Sequence, residues 1–305
     1  MDDSNDQRPT LRVGFAGLGV IVLPMARRVL EAGFDLHVWN RNAAKAAGLV
    51  ASGATLAATP AELASLVDVL CVCLTDDRAL EEVIFGEQGV ASAGKRGLVL
   101  ADHSTIHPVA TRSMAERFAA TGGAWVDAPV TGGPSGAAQG HLAVFAGGAA
   151  GDVKRLRPVL MCFARQMTHL GPVGSGQAAK ACNQMVSFGT AAVLAEALNL
   201  AARLGLDVAQ LPQAMEGGLA DSAVLRRYAP MMVSGELTGS ALTALKDLEI
   251  VSDLGRETGA PMPMTGLLTS LHRLLASQGH HMGGMAGVIR LYAESPLAVS
   301  GTVKA

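Results

Sequence analysis

Short apolar runs alternate with amphipathic segments through the first half of the chain. Residues 11–17 form an apolar run that ends in glycine, which predicts a buried strand. Residues 20–32 repeat apolar side chains at helical spacing and stop before Gly33, a typical helix end. Residues 34–40 alternate apolar and polar positions, as a second strand would. Similar patterns predict strands at 69–74, 98–101, 124–126 and 142–146 and helices at 60–67, 77–84 and 107–120.

This alternation stops near residue 172, and the pattern beyond it predicts helices alone. The first is one long apolar helix over 177–203. Strands that alternate with helices are typical of a mainly parallel sheet covered on both faces. We therefore predict an α/β protein with a Rossmann-type, doubly wound sheet, followed by an all-α domain and linked to it by the long helix. The remaining predicted helices are 207–216, 221–233, 240–258 and 263–277.

The pattern predicts three parts of the chain. Residues 1–10 are polar and are expected to form a disordered tail. Residues 11–172 are expected to form the sheet domain, and residues 173–305 are expected to form the helical domain.

Composition narrows the class of protein. Half of the 305 residues are hydrophobic and 16% are charged, which excludes a chain that is disordered throughout. The formal net charge of -2 gives no indication of a nucleic-acid or membrane partner. The N-terminus lacks the apolar stretch of a signal peptide, and the apolar run 186–204 is interrupted by Glu196, Asn199 and Arg203, so we predict a buried helix there. We expect a cytoplasmic protein.

The cysteines and histidines do not suggest a metal site. Cys71, Cys73, Cys162 and Cys182 are predicted to be buried thiols in a reducing compartment. The C-terminal histidines include an adjacent pair, His280 and His281, whose side chains would point apart. We therefore expect no metal.

A glycine-containing turn lies between the first predicted strand and the first predicted helix. Gly17 permits the tight turn, Gly19 lets the backbone approach a pyrophosphate, and the helix N-terminus favours that anion. Val22 stands at the third position, where close packing usually selects Gly or Ala. An ordinary turn with two glycines is the alternative. The context predicts a dinucleotide-binding loop with cofactor contacts from Gly17, Leu18, Gly19, Val20 and Ile21.

The end of the second predicted strand bears on which cofactor binds. NAD-binding proteins commonly place an acid there for the ribose 2′-hydroxyl, whereas this chain has Asn40 and Arg41. A guanidinium offers paired donors suited to a 2′-phosphate. We therefore predict NADP as the cofactor, with NAD possible and a solvated Arg41 as the alternative.

Two further glycine-rich stretches carry candidate chemistry. In 127–137, clustered backbone N–H groups and the Thr131 hydroxyl could hold a carboxylate, with a structural turn as the alternative. The stretch 171–183 leads into the long predicted helix, where Lys180 and Asn183 share a face because they are three residues apart. The two side chains could hydrogen-bond one substrate oxygen, with a surface lysine as the alternative.

These motifs resemble those of the β-hydroxyacid dehydrogenases, which include 3-hydroxyisobutyrate dehydrogenase, tartronate semialdehyde reductase and the succinic semialdehyde/glyoxylate reductases. The resemblance covers about residues 11–295. It is carried by GLGVIVLPMA, DAPVTGGPSGA, GPVGSGQAAKACN and LKDL, which begin at residues 17, 127, 171 and 245. It implies a two-domain, NAD(P)-dependent oxidoreductase. Residues 11–172 would form its NADP-binding domain, and the helical domain over 173–305 would bind substrate and contact other subunits.

The resemblance also implies roles for individual residues. Lys180 would be the general acid/base, and Asn183 would orient the reacting oxygen of the substrate. Lys246, held by Asp247, would reach the active site from the helical domain. The substrate carboxylate would bind at Thr131, Gly132 and Gly133, and the nicotinamide side would be lined by Leu74, Thr75, Thr105 and Lys246.

The chain departs from the family pattern at four positions. Val22, Thr75, Thr131 and Gln184 stand where Gly, Pro, Ser and Asn are common. The departures indicate a divergent member, whose substrate cannot be copied from its best-known relatives.

The sequence thus predicts an NADP-dependent oxidoreductase that interconverts a small β-hydroxy acid and its semialdehyde or oxo acid, assembled as a homodimer or homotetramer. An imine reductase on the same scaffold is an alternative enzyme. Lys180 argues against it, because imine reductases of similar architecture commonly carry a different residue there. A non-catalytic NADP-binding module is the third hypothesis, which Val22 and Gln184 favour.

Overall fold

The computed structural model describes residues 11–292, so the predicted tail over 1–10 and the end of the predicted helical domain lie outside the described residues. The chain divides into two compact units, one ending at Lys180 and the other beginning at Ala181. One helix contributes residues to both units. The predicted domain boundary after residue 172 stays a prediction.

The strands of the first unit form one sheet. They are β1 (Arg12–Ala16), β2 (Asp35–Trp39), β3 (Thr55–Leu56), β4 (Val69–Val72), β5 (Val99–Asp102), β6 (Ala124–Asp127), β7 (Val130–Thr131), β8 (Leu142–Gly147) and β9 (Ala164–Gly171). The order is β3-β2-β1-β4-β5-β6-β8-β7, with β9 beside β8. Strands β1 to β6 are parallel in the doubly wound order, and β8 runs antiparallel to β6 and β7. The predicted Rossmann-type sheet is confirmed.

Helices connect these strands, and side-chain caps mark where several of them begin. Thr59 accepts the Glu62 N–H just before Pro60, and Asp76 accepts the Ala79 N–H. The helices are α1 (Val22–Glu31), α2 (Ala47–Val50), α3 (Pro60–Leu66), α4 (Asp77–Phe85), α5 (Pro108–Ala119), α6 (Gly133–Gln139) and α7 (Ala150–Leu160), with 3-10 turns at Ala43–Ala46 and Val90–Ala93.

The sheet separates two hydrophobic cores. Alternate residues of β4 belong to different cores, Val69 and Cys71 to one and Leu70 and Val72 to the other. Successive side chains of a strand point to opposite faces. An uninterrupted apolar strand is therefore what a sheet with helices on both faces requires.

The second unit is helical. Helix α8 (Ser175–Arg203) begins in the first unit and continues into the second. Between Ala181 and Tyr292 the residues form helices, turns and an isolated bridge between Ser240 and Met282, so the predicted all-α half is confirmed. The further helices are α9 (Leu211–Met215), α10 (Ala223–Ser234), α11 (Ala241–Thr258) and α12 (Pro263–Ser277), followed by a 3-10 segment at Gly284–Leu291.

The structure adds elements that the hydrophobic pattern did not predict. The glycine-rich stretch after residue 131 contains α6, which follows Gly132 at φ +123° and carries Pro134 in its first turn. Proline has the φ of a helix start, so it favours this position. Strand β9 was missed because it lies at the sheet edge and most of its side chains are not buried.

Helix α8 is less buried than its apolar composition predicts. Val186, Val193 and Leu200 lie seven residues apart and are 69%, 59% and 58% exposed. The helix is long and apolar enough to cross a membrane. This is weak evidence for a membrane span, because core helices of soluble proteins are also long and apolar enough. Cys182 is also exposed, so the prediction of a buried thiol is wrong for that residue, although all four cysteines are free.

Candidate active site

The loop between β1 and α1 requires glycine at its first position. Gly17 has φ +88°, and a Cβ there would lie 2.9 Å from Leu74 Cδ2 and 3.0 Å from the Cys73 carbonyl oxygen. Its N–H donates to the Trp39 carbonyl at 2.9 Å. The Leu18 N–H donates to Asn40 Oδ1 at 2.8 Å. The end of β2 therefore fixes the shape of this loop.

The next residues of the loop fit a dinucleotide pyrophosphate. A Cβ on Gly19 would meet nothing within 4 Å, and Val20 is exposed. Helix α1 has no side-chain cap at its N-terminus and no acid in its first turn. The N–H groups of Val22 and Leu23 donate to the Gly19 carbonyl at 3.1 and 3.0 Å, so the helix dipole is what favours an anion at this end. Val22 is buried in the core below the loop, so its larger side chain leaves this opening clear.

A pocket of about 380 Å³ lies at the carboxyl ends of β2 and β3. It is lined by Trp39, Asn40, Arg41, Ala43, Leu56, Ala57 and Ala58. The Asn40 amide is already used, since Oδ1 accepts from Leu18 and Nδ2 donates to the Asn42 carbonyl at 2.7 Å. Arg41 is exposed and brings a positive charge to the pocket. Asn40 thus shapes the loop, and Arg41 is the candidate for a phosphate on the ribose.

The predicted nicotinamide-side residues follow β4 and β5. The Leu74 N–H donates to Ser104 Oγ at 3.0 Å, which joins the ends of these two strands. Thr75 donates to Asp76 at 3.1 Å, and Thr105 directly follows Ser104. Ligands of doubly wound sheets bind outside the carboxyl ends of the strands where the strand order reverses, here between β1 and β4. Leu74, Thr75 and Thr105 lie at this edge.

Lys180 is buried, with 7% of its surface exposed. Its Nζ donates a hydrogen bond of 2.9 Å to the carbonyl of Val130. Val130 begins β7, and Thr131, Gly132 and Gly133 follow it directly. The Lys180 amine is therefore bonded to the segment that carries the predicted carboxylate-binding residues. The alternative of a solvated surface lysine does not fit this buried, bonded side chain.

Asn183 and Lys246 belong to a polar network within the second unit. Asn183 Nδ2 donates to Gln184 Oε1 at 3.0 Å, and Gln184 Nε2 donates to Asp247 Oδ2 at 2.6 Å. Lys246 Nζ lies 3.3 Å from Asp247 Oδ1. The resemblance implies the contact between Lys246 and Asp247, whereas nothing in the sequence predicts that Gln184 links Asn183 to Asp247.

Two buried titratable residues of the first unit, Asp127 and His103, lie outside the set of predicted site residues. Asp127 accepts the N–H groups of Gly174 and Gln177 at 2.7 and 2.8 Å. Burial raises the pKa of Asp127, and these N–H bonds act in the opposite direction. Burial also lowers the pKa of His103 to about 4, and its Nδ1 lies 2.6 Å from the Ala128 carbonyl. The only sequence signal for Asp127 was an acid at the end of a predicted strand.

Two family models match most of the chain. Residues 12–171 match the NAD binding domain of 6-phosphogluconate dehydrogenase, and residues 174–292 match the NAD-binding domain of NADP-dependent 3-hydroxyisobutyrate dehydrogenase. A 2-hydroxy-3-oxopropionate reductase from Escherichia coli (strain K12) is 31% identical over 271 residues, which cover 88% of this chain and 92% of the relative. The chain belongs to the β-hydroxyacid dehydrogenase family. This β-hydroxyacid dehydrogenase is accordingly an NAD(P)-dependent oxidoreductase.

Solved structures resemble this β-hydroxyacid dehydrogenase over nearly its whole length. A crystal structure of 3-hydroxyisobutyrate dehydrogenase from Salmonella typhimurium has a TM-score of 0.86 at 28% identity and covers 92% of this chain and 100% of its own. A Streptomyces aurantiacus imine reductase has a TM-score of 0.63 at 26% identity and covers 92% of this chain and 99% of its own. In residues 11–292, no group of three or more His, Cys, Asp or Glu side chains is placed to hold a metal ion.

Proposed function

We propose that this β-hydroxyacid dehydrogenase uses NADP to interconvert a small β-hydroxy acid and its semialdehyde or oxo acid, with Lys180 as the general acid/base. The observation that carries the proposal is the hydrogen bond between the buried Lys180 amine and the Val130 carbonyl. It holds a proton-transfer group beside a segment suited to a carboxylate.

In the proposed mechanism the substrate carboxylate binds to the Thr131 hydroxyl and to the backbone N–H groups of Gly132 and Gly133. Carboxylates are commonly held by such clustered donors. Both glycines have positive φ, +123° and +66°, and the first precedes α6, a turn that side chains would strain. The bound acid would then present the oxygen on its β-carbon to Lys180.

Lys180 would move the proton. In reduction, its ammonium group would donate a proton to the oxygen of the carbonyl as negative charge develops there. In oxidation, the neutral amine would take the proton of the hydroxyl group. The Val130 carbonyl accepts a hydrogen bond from Nζ in both protonation states, so the group stays in place through the transfer. NADP, when bound, supplies or accepts the hydride.

Asn183 and Lys246 are proposed to orient the substrate, with Lys246 also on the cofactor side. Asn183 lies three residues beyond Lys180 on α8, as helical neighbours do. Its amide is oriented by Gln184, and Lys246 is paired with Asp247. Both side chains are therefore restrained before any substrate arrives, which lowers the entropy that binding costs.

The cofactor is proposed to be NADP, with its pyrophosphate on the backbone of Gly17 to Ile21. Arg41 and Asn40 would contact the adenosine ribose, and Arg41 would bind its 2′-phosphate. Leu74, Thr75 and Thr105 would lie on the nicotinamide side. The support is the open loop, the absence of an acid from the first turn of α1 and the positively charged pocket at the end of β2.

The assembly, location and partners of the enzyme are also part of the proposal. We propose a homodimer or homotetramer in the cytoplasm that acts on a small molecule, without a nucleic-acid or membrane partner. The exposed apolar stripe of α8, formed by Val186, Val193 and Leu200, supports association through the helical half.

A rate screen tests this function. Purified protein is mixed with NADPH or NADH and a panel of short semialdehydes, and with the oxidised cofactors and short β-hydroxy acids. We expect turnover with NADPH on at least one semialdehyde and the reverse reaction on the matching acid. Turnover confined to cyclic imines would instead indicate an imine reductase. Tight NADPH binding without turnover on any member would indicate a binding module.

The cyclic imines in the screen test a second candidate function, imine reduction, because imine reductases share this fold. The Salmonella dehydrogenase resembles the chain more closely than the imine reductase does.

A further inference from the structure

The carboxylate of Asp127 caps a helix that begins far along the chain. Asp127 ends β6 and is 0% exposed. Its Oδ1 accepts the Gly174 N–H at 2.7 Å and its Oδ2 accepts the Gln177 N–H at 2.8 Å, across 47 and 50 residues. The first N–H groups of a helix have no carbonyl partner within it, and a carboxylate is a favourable partner for them. Asp127 therefore ties the start of α8 to the sheet.

Two glycines leave the space that this carboxylate fills. A Cβ on Gly147, which pairs with Asp127 across the sheet, would lie 2.6 Å from Asp127 Oδ1 and 2.7 Å from the Gly176 nitrogen. A Cβ on Gly176 would collide with the Phe145 carbonyl oxygen and would lie 2.6 Å from the Asp127 carbonyl oxygen. Three backbone segments thus meet at Asp127 too closely for any larger side chain. The fit leaves little room for the helix to shift.

A second buried side chain fixes the same helical turn. Gln177 is buried, and its Nε2 donates to the Ser104 carbonyl at 2.8 Å. Its Oε1 accepts the Ile106 N–H at 3.3 Å. The first turn of α8 is therefore held from the end of β5 as well as from the end of β6.

The segment that anchors the helix also holds its lysine. Lys180 comes three residues after Gln177, and its Nζ binds the carbonyl of Val130, which comes three residues after Asp127. The helix fixes the position of the Lys180 Cα relative to the helix start, and the bond to Val130 holds Nζ at the end of the flexible side chain. The contact at Asp127 thus sets the point from which the Lys180 side chain reaches β7.

We propose that Asp127 is a positioning residue that holds the Lys180 amine at the reacting oxygen of the substrate. The inference rests on the proposed role of Lys180, and it extends that role to a residue that touches neither substrate nor cofactor. Small misplacements of a catalytic group are costly, because about 1 Å can reduce the rate roughly 100-fold. Asp127 would act on the rate of proton transfer and not on cofactor binding.

The test compares Asp127→Asn with the matched control Asp152→Asn. An asparagine has one acceptor where the carboxylate has two, so its NH₂ group would face a backbone N–H. Asp152 is an acid in the first turn of α7, a helix of the same unit that carries no proposed catalytic group. We expect kcat to fall about 100-fold in Asp127→Asn, with the KM for NADPH within about twofold of wild type. Asp152→Asn should leave kcat unchanged.

A labelling measurement separates failure of this inference from failure of the proposed function. Trinitrobenzenesulfonate modifies accessible amines, and digestion with mass spectrometry gives the rate at Lys180, with exposed Lys154 as the internal reference. We expect Lys180 to react at least about tenfold faster in Asp127→Asn, because the helix start is released. Faster labelling in a protein whose wild type has no turnover would support positioning and contradict the function. Unchanged labelling with unchanged kcat would overturn the positioning role.

A second variant covers the case in which Asp127→Asn does not fold. Gln177→Met removes the side-chain bonds to Ser104 and Ile106 but keeps the backbone N–H that Asp127 accepts. We expect a smaller change in the same direction, about tenfold in kcat, with NADPH binding retained. Wild-type kcat and labelling in this variant would contradict the claim that the start of α8 positions Lys180.

Discussion

Gln184 donates a hydrogen bond of 2.6 Å to Asp247, and both side chains are buried within the second unit. A carboxylate only accepts hydrogen bonds, so Asp247 determines that the NH₂ end of Gln184 faces it. The oxygen of Gln184 then faces Asn183 and accepts from its Nδ2 at 3.0 Å. The charge of Asp247 thereby orients the amide of Asn183 through one intermediate residue.

Replacing Gln184 by methionine should destabilise the second unit. Gln184→Met keeps the approximate volume but removes the donor to Asp247, which leaves part of a buried carboxylate without its partner. Such a loss costs about 1–3 kcal/mol, and the carboxylate places it toward the upper end. The free energy of unfolding in urea at pH 7 measures it.

The control for this variant is Gln210→Met. Gln210 also donates to an aspartate, Asp207 Oδ2 at 2.7 Å, but the pair is exposed. Water can replace that bond, so the expected change is below about 0.5 kcal/mol. Equal losses in the two variants would show that burial of the Gln184–Asp247 pair does not matter.

Removing the amine of Lys180 should abolish most turnover and leave cofactor binding intact. Lys180→Met keeps the length of the apolar stem but loses the group that we propose moves the proton. General acid–base catalysis contributes about 10²–10⁴-fold, so kcat should fall by that factor on the best semialdehyde. NADPH affinity, followed by its fluorescence, should stay within about twofold.

The exposed Lys154 on α7 provides the control for Lys180. Lys154→Met should behave like wild type, because no proposed site residue lies on α7. Turnover by Lys180→Met at the wild-type rate would remove the lysine from the mechanism.

Much of the sheet was predictable from the sequence because its strands are buried. Buried strands such as β4 and β5 are uninterrupted apolar runs, and α1 has an amphipathic pattern that stops at Gly33. Strand β9 lacks such a run because an edge strand exposes side chains. Helix α6 was missed because glycines obscured its helical spacing, and its start depends on Pro134.

The candidate site was predictable only where a local motif carries the chemistry. The loop after Gly17 and the lysine of α8 stand in short, recognisable stretches, and the resemblance added their roles. Asp127 and Gln184 act through partners 50 and 63 residues away. Nothing near either residue in the sequence indicates such a partner, so only the fold could identify these contacts.

Arg41 should determine the preference for NADPH over NADH. In Arg41→Ala the proposed fork of donors for the 2′-phosphate is lost, and hydrogen bonds to charged groups contribute about 1.5–3 kcal/mol. The KM for NADPH should therefore rise about 10- to 100-fold, while the KM for NADH should change by less than about threefold. Initial rates at fixed semialdehyde concentration measure both.

The matched variant for Arg41 is Arg96→Ala. Arg96 is exposed and precedes β5, at the amino end of the sheet, whereas ligands of this fold bind at the carboxyl end. Arg96→Ala removes one positive charge from the same unit, as Arg41→Ala does, but Arg96 does not line the proposed pocket. A rise in the KM for NADPH of similar size in both variants would indicate a general effect of net charge and contradict the role of Arg41.

Arg12 and Asp68 form a two-pronged ion pair at the amino ends of β1 and β4. Arg12 Nε donates to Asp68 Oδ2 at 3.1 Å, its guanidinium NH₂ donates to Oδ1 at 2.8 Å, and its backbone N–H donates to Oδ2 at 3.0 Å. The hydrogen bond from Arg12 is the largest cause that lowers the pKa of Asp68, from 3.8 to about 2. Asp68 thus binds its proton less readily in the folded chain than in the unfolded chain.

The contribution of Asp68 to stability should consequently depend on pH. Because folding lowers its pKa, the stabilisation is present above about pH 4, declines as the unfolded chain begins to take up a proton, and is lost near pH 2. The melting temperature of Asp68→Asn should lie below that of wild type at pH 7, and the difference should close as the pH falls through this window. Asp253→Asn, which removes a more exposed ion pair with Arg256, should show little difference at any pH. A difference between Asp68→Asn and wild type that persists at pH 2 would mean that the asparagine disturbs packing and that the ion pair is not the cause.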